Sequence, residues 1–413
     1  MDKDVMTDFS QDPETFRTQF VAWLEENAPR SLWHTVSTPF QGHWGGRQGG
    51  FPSEDHRIWF ERCLALGWTA PTWPRAVGGG DMSGDCYRVF RQELIDRGLP
   101  LPLVGIGLTM IGPILLAEGD EQQKAEHLPK IVTGDIRWCQ GYSEPDAGSD
   151  LANLRCKAVL DGDEYVVDGQ KIWTSHAELS DWIFCLVRTN SEGRKQAGIT
   201  FLLIDMRSPG ITVRPIELIS GSSPFCEVFL EGVRVPAANV VGQVNTGWGV
   251  AKALLAHERS MVGESVAAGG ARPEILHGYT LREHAKQRVG LNAEGRLKDP
   301  LLRDAIARNE MKQEAMKMLV RRINDRIRTG AHPGPESSIL KLAGTELNQE
   351  RWELAVDILG LDGVGWGGDG FSERDQALTR HLFRSRGNTI EGGSSEVQRN
   401  IVALRVLGLP KGA

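Results

Sequence analysis

The sequence predicts an α+β fold in three parts: an N-terminal helical domain, a central β domain and a C-terminal helical bundle. Three observations carry this. Apolar residues recur at helical spacing up to about residue 134. The texture then turns β-prone, punctuated by Asp-Gly dipeptides, to about residue 244. Helical spacing resumes from there to the end. The expected domains are therefore residues 1–134, 135–244 and 245–413, and a chain of 413 residues is long enough for more than one core.

In the first part, "DPETFRTQFVAWLEENAP" opens on Asp12 as a plausible N-cap, with Pro13 at the first helical position. Phe16, Phe20, Val21 and Leu24 then fall at helical spacing. "EDHRIWFERCLALGW" and "GDCYRVFRQELIDRG" repeat the pattern and end near glycine. Residues 98–117 carry no charge and are long enough to span a bilayer. Pro100, Pro102 and Pro113 interrupt them, however, and no second span could satisfy the freed backbone, so a buried segment of a helical domain is expected.

In the second part, "KAVLDGDEYVVDGQKIW" places turns at Asp161-Gly162 and Asp168-Gly169 between β-prone runs, and "DWIFCLVRT", "GITFLLIDM", "ITVRPIEL" and "CEVFLEGVRVP" continue it. In the third, long amphipathic stretches run from "GVAKALLAHERSMVGESVAA" to "EVQRNIVALRVLG".

A net charge of −7 argues against nucleic acid as the main partner, because phosphate binding needs a basic surface. The six cysteines are scattered without a CxxC pair, which predicts reduced thiols in a cytoplasmic protein and no zinc site. The acidic N-terminus has no apolar run and does not read as a signal peptide. "GVGWGG" at 363–368 fits GxGxxG, but a helical stretch precedes it where a dinucleotide fold needs a strand. "HERSM" at 257–261 puts Met261 where HExxH needs its second ligand, so no metal site is expected. No nucleophile elbow is present either.

Six ordered stretches together resemble the acyl-CoA dehydrogenase family: "GYSEPDAGSD", "GQKIWTSHAELSDWIFCLVRT", "SPFCEVFLEGVRVP", "GQVNTGWGVAKALLAHER", "DILGLDGVGW" and "TIEGGSSEVQRNIVALRVLG". The resemblance spans residues 23–408. It implies a β-barrel-like central domain, a C-terminal four-helix bundle, FAD as cofactor and an acyl-CoA substrate. It also implies an electron-transfer flavoprotein as acceptor, a homotetramer or heterotetramer, and a place in fatty acid or lipid catabolism. Neither nucleic acid nor stable membrane insertion belongs to that picture. By the same resemblance, Tyr142 and Ser143 contact the flavin ring, Trp173 packs on it and Ser175 hydrogen-bonds near its N5 edge. Ser149 falls where relatives touch the pantetheine arm. Arg288, Ser394 and Glu396 fall near positions that hold the dinucleotide part of a neighbour's FAD. The residues read alone leave bland alternatives: Trp173 as core, Ser149 as a turn or cap, Arg288 as a solvated charge.

Desaturation next to a thioester needs a base at the α carbon and donors to the thioester carbonyl. Many relatives carry the base in a C-terminal "YEG(T/S)xxxQR" pattern. Read back from Gln398-Arg399, Gly392 takes that glutamate's place and Glu391 stands one residue early. The chain is similar here to isovaleryl-CoA and long-chain acyl-CoA dehydrogenases, which place the base in an "ER" pair on the first helix after the β domain. That pair is Glu258-Arg259. Glu258 also interrupts a helical stripe of Val250, Leu254, Met261/Val262 and Ser265, where desolvation would raise its pKa toward a useful base. The expected catalytic group is Glu258, with Glu391 as the alternative and the Gly392 N–H as carbonyl donor. Arg259 and Glu391 are expected to line the substrate. Ser395 and Gln398 read as a capping box opening the last helix.

The expected activity is α,β-desaturation of a CoA thioester by an oxidoreductase acting on a CH–CH bond, with a branched or bulky acyl group. An acyl-CoA oxidase, another flavin reaction on this fold, and a non-catalytic FAD-binding subunit of a heteromeric dehydrogenase are the competing readings.

Overall fold

The computed structural model of the protein describes residues 12–36, 42–255, 280–328 and 334–410. Its contacts divide the chain into two compact units. The first comprises Met1–Ile216 and Pro224–Leu254; the second comprises Glu217–Ser223 and Leu255–Ala413.

The first unit opens with α1 (Pro13–Asn27), and its start follows the sequence: the Asp12 carboxylate accepts from the N–H groups of Glu14 and Thr15. Ser53 and Ser83 cap α2 (Glu54–Leu64) and α3 (Gly84–Asp96) in the same way. The buried faces of these helices meet in an aromatic core, where the Trp68 ring lies 5.2 Å edge-on from Phe20 and 4.6 Å from Trp23. Truncating one such ring to alanine costs about 3–5 kcal/mol. The uncharged stretch 98–117 is not one helix: it runs as a loop, a π-turn over Gly107–Ile111 and then α4 (Gly112–Glu118). Among the described residues, no helix is long and apolar enough to cross a membrane. A capping box of Asp120 and Gln123 opens α5 (Glu121–Val132), and the Gln123 amide also donates to the Ala238 and Val240 carbonyls at 2.8 Å, which ties this helix to the sheet domain.

The sheet contains β1 (Trp138–Gly141), β2 (Lys157–Asp161), β3 (Glu164–Ser175), β4 (Trp182–Arg188), β5 (Ile199–Asp205), β6 (Ile211–Ile216), β7 (Phe225–Pro236) and β8 (Val240–Val241). The order is β6-β7-β3-β2-β4-β5-β8, with β1 running parallel to β4. Gly162, at φ +68°, turns β2 into β3 where Asp161-Gly162 predicted a hairpin. Asp168-Gly169 is a correction. It lies inside β3, opposite a bulge in β7 where Gly232 takes φ +61° and donates its N–H to the Asp168 carboxylate at 2.8 Å. Glycine is required at 169 because a Cβ there would sit 2.6 Å from the Cys156 Cα. All six cysteines are buried and unpaired by disulfides. The helix α6 opens at residue 247, and its described part ends at 255.

In the second unit, α9 (Ser337–Asp357) packs against α7 (Leu281–Arg288), α8 (Pro300–Arg328), α10 (Glu373–Ser385) and α11 (Ser395–Ile401). Trp352 and Ala355 of α9, with Ile358 just past its end, form its core with Leu281, Ala285, Ile306 and Leu378. "GVGWGG" is the link between α9 and α10, with no strand before it, and the Trp366 indole donates to the Ile219 carbonyl at 2.8 Å.

Candidate active site

In the first unit, β1 ends beside the C-terminal half of β3. The Ile172 N–H donates to the Ser143 carbonyl at 2.9 Å, so Tyr142 and Ser143 lie next to the segment that carries Trp173 and Ser175. The ladder to β7 slips here: Lys171 faces Val228 and Thr174 faces Cys226, so Ile172 and Trp173 together oppose Glu227. This bulge puts Trp173 in the left-handed region, φ +61°, and leaves its indole 53% exposed beside the edge of Phe225. A left-handed non-glycine residue costs about 1–2 kcal/mol, a strain typical of places where a side chain is presented to a ligand. Next to it the Thr174 hydroxyl is buried with no partner among the described residues, while Ser175 is exposed. The Tyr142 ring is core, edge-on to Phe184 and Phe201, and Ser143 is half-buried. Ser149 is exposed in the loop between β1 and β2.

Behind this edge lies a charge pair that the sequence did not reveal. Lys171 is fully buried and donates to Glu144 at 2.7 Å and to the Tyr142 carbonyl at 3.2 Å. Glu144 also accepts the N–H groups of Arg155 and Cys156. Burial alone would pull the Lys171 ammonium down. Coulombic attraction to Cys185, Cys156 and Glu144, with the hydrogen bond to Glu144, reverses this and holds it above the ordinary lysine value. The available signal was a lysine within a β-prone run, with a glutamate directly after Tyr142-Ser143.

In the second unit, Glu391, Gly392, Ser394 and Glu396 meet at the junction before α11. The Glu391 carboxylate takes the Asn388 amide at 2.6 Å and the Arg384 guanidinium at 2.8 Å. Gly392 and Gly393 are both left-handed, φ +63° and +90°, and the Gly392 N–H has no acceptor among the described residues. A Cβ on Gly393 would stand 2.5 Å from the Gln398 amide nitrogen. That amide donates to the Gly392 and Gly393 carbonyls, and the buried Lys341 of α9 donates to Gly393 at 2.6 Å. The predicted capping box of Ser395 and Gln398 does not form: Ser394 is a simple N-cap, accepting from the Val397 N–H, and the Gln398 amide holds the loop instead. Glu396 is exposed in the first turn of α11, and its carboxyl is held below the usual range, first by its own backbone N–H and then by Ser394. Lys341 was not singled out by sequence, and Gln398 was read there only as a cap; each is a polar residue on a face that also packs.

Arg288 belongs to a different cluster of this unit. It reaches Asp375 at 2.6 Å and Asp362 at 3.0 Å, joining the end of α7 to the start of α10. Glu258 and Arg259 lie outside the described residues. No cluster of metal-binding side chains occurs among the described residues.

The chain matches three acyl-CoA dehydrogenase domain families: the N-terminal domain over residues 26–135, the middle domain over 139–233 and the C-terminal domain over 245–407. It is 36% identical to the acyl-CoA dehydrogenase IpdE1 of Mycobacterium tuberculosis, over 98% of this chain and 99% of that one. Among solved structures, the Tcur3481-Tcur3483 steroid ACAD superposes with a TM-score of 0.73 at 29% identity, covering 100% of this chain and 99% of the other. The ChsE4-ChsE5 complex of Mycobacterium tuberculosis gives 0.70 at 28% identity, covering 97% and 98%. The chain belongs to the acyl-CoA dehydrogenase family and is an oxidoreductase acting on CH–CH bonds.

Proposed function

We propose that this chain is an FAD-dependent dehydrogenase of a bulky acyl-CoA, with Glu258 as the base. Members of its family are FAD-dependent. The first unit's residues fit such a group: a half-exposed indole on a strained bulge, with Ser143 and Ser175 hydroxyls on the same edge, suits a planar heteroaromatic ring. Because the Tyr142 ring is core, any cofactor contact from that residue falls to its main chain. Bound FAD supplies the acceptor for the hydride that leaves the β carbon.

The observation that carries the choice of base is the commitment of Glu391. Both its oxygens are already hydrogen-bonded, to Asn388 and Arg384, so taking a proton would break its ion pair. Glu258 then removes the α proton, and the unspent Gly392 N–H donates to the thioester carbonyl as enolate charge develops. Arg259 and Glu391 line the substrate and Ser149 meets the pantetheine arm. Ser394 and Glu396 hold the dinucleotide region. Arg288 acts there only through the face its two carboxylates leave open. One of the structural relatives is a steroid ACAD, and this, with the missing side chain at Gly392, favours a branched or alicyclic acyl group. The paired names of both solved relatives favour assembly with a second chain of this kind, and an electron-transfer flavoprotein completes the turnover.

The test is anaerobic flavin bleaching by a panel of acyl-CoAs, with peroxide formation in air marking an oxidase instead. Glu258→Gln is expected to lose at least about a hundredfold in bleaching rate, the scale of a lost general base. Glu391→Gln is expected to stay within about tenfold of wild type, because its carboxylate is already committed. Unchanged turnover in Glu258→Gln sinks the assignment, and selective loss in Glu391→Gln moves the base to the loop.

A further inference from the structure

A second recognition element stands in the first unit, where a small cleft is lined by Trp44, Leu103, Gly105, Ile106, Arg137 and Trp138. The backbones of its two key residues are locked. Trp44 sits between two ties: Val104 N–H donates to the His43 carbonyl at 2.8 Å, and Gly46 N–H donates to the Gly134 carbonyl at 2.8 Å. The Arg137 N–H donates to the Asp181 carboxylate at 2.8 Å, and its carbonyl accepts from Asp181 and Trp182. The Arg137 guanidinium lies over the Trp44 ring at 4.6 Å.

That guanidinium is half-buried, yet it has no hydrogen-bond acceptor among the described residues. The acids around it are engaged elsewhere. Asp181 receives the N–H groups of Arg47 and Arg137 and pairs with the Arg47 side chain, while Glu178 takes the Cys226 thiol at 2.8 Å. Trp138 adds a second unspent donor: its ring is 3% exposed and its indole N–H is buried without a partner among the described residues. Two idle donors at one cleft are matched to a ligand that ends in an oxygen acceptor. Trp44 also meets His176 at 5.7 Å between rings, and His176 directly follows Ser175. The cleft therefore adjoins the edge assigned above to the flavin.

We propose that Arg137, stacked on Trp44, receives an oxygen acceptor, a carboxylate or ketone, at the far end of the substrate's acyl group. This rests on the reading of the Trp173–Ser175 edge as part of the desaturation site. It makes Arg137 a specificity determinant that selects oxygenated acyl groups over hydrocarbon ones of equal size.

The experiment uses the FAD-loaded full chain and three CoA thioesters of matched size: adipoyl-CoA, 6-oxoheptanoyl-CoA and 6-methylheptanoyl-CoA. Calorimetry gives the Kd of each. Wild type is expected to bind both oxygenated esters about tenfold or more tighter than the branched alkyl ester, the scale of a hydrogen bond to a charged group. Arg137→Gln is expected to lose the preference for the carboxylate while keeping part of that for the ketone, and Arg137→Lys to keep part of both. Equal binding of the three esters by wild type, no binding of any, or preference for the alkyl ester overturns the proposal, whether or not the variants fold. Flavin bleaching is read separately. Oxygenated esters that bind tightly without bleaching count against desaturation and leave the cleft standing. Bleaching by the alkyl ester with no oxygen preference does the reverse.

Discussion

At the scale of single residues, the site is defined by which polar groups are already engaged. Glu391 attracts attention in the sequence because a carboxylate beside two glycines looks like a base, yet Arg384 and Asn388 engage both its oxygens. Lys171 attracts none, yet it is the buried ammonium that holds the Tyr142 carbonyl and Glu144 together behind the Trp173 edge. Removing one partner of such a pair leaves the other charged and poorly solvated, at a cost of about 3–5 kcal/mol. Lys171→Met is accordingly expected to lower the urea midpoint by an amount equivalent to about 3 kcal/mol, the low end, because Glu144 keeps two backbone donors. Chemical denaturation followed by tryptophan fluorescence checks this; a shift below about 0.5 kcal/mol would show the pair to be replaceable.

At the scale of elements, helices and strands are positioned by a few polar ties more than their own patterns reveal. The face of α9 carrying Lys341, Asn348 and Gln349 grips the segment before α11, donating to Gly393, Asn388 and Ser385. Arg288 ties α7 to Asp375 in the first turn of α10. Burial pushes the Asp375 carboxyl up, but hydrogen bonds from Arg288 and Ser372 outweigh it and hold the group below its ordinary 3.8. A carboxyl depressed in the folded state contributes stability above its unfolded pKa and loses it as pH falls through the folded one. Arg288→Gln is thus expected to cost about 2 kcal/mol near neutral pH, with the deficit shrinking below about pH 4. Urea midpoints of both proteins from neutral pH down to about pH 3 test it, and a gap that stays constant throughout contradicts the assignment.

At the scale of the whole molecule, the expected cofactor becomes a thermodynamic quantity. A ligand that binds only the folded chain stabilises it by about 2.7 kcal/mol at roughly a hundred times its Kd. Excess FAD is therefore expected to raise the Tm of stripped protein by a few degrees, with riboflavin giving less because it lacks the dinucleotide half. Differential scanning fluorimetry of the stripped chain reads this directly, and an unmoved Tm speaks against FAD. The helix-sheet-helix order was legible in the sequence because burying one face imposes a period of about 3.6 on helices and about 2 on strands. Local chemistry was legible too wherever one short stretch contains the whole interaction, as with Asp12 capping α1 or Gly162 turning β2 into β3. Bonds between distant segments left no such mark. Asp168-Gly169 looked like a turn but answers a bulge at Gly232, and Ser395 looked like a cap until Gln398 proved engaged with the glycine carbonyls. By itself, then, the sequence determined the family, the three-part order and the candidate residues, because those depend on types and spacings along the chain. Only the tertiary structure decided which side chains are spent and which are free to meet a substrate, because that depends on partners the chain brings together from far apart.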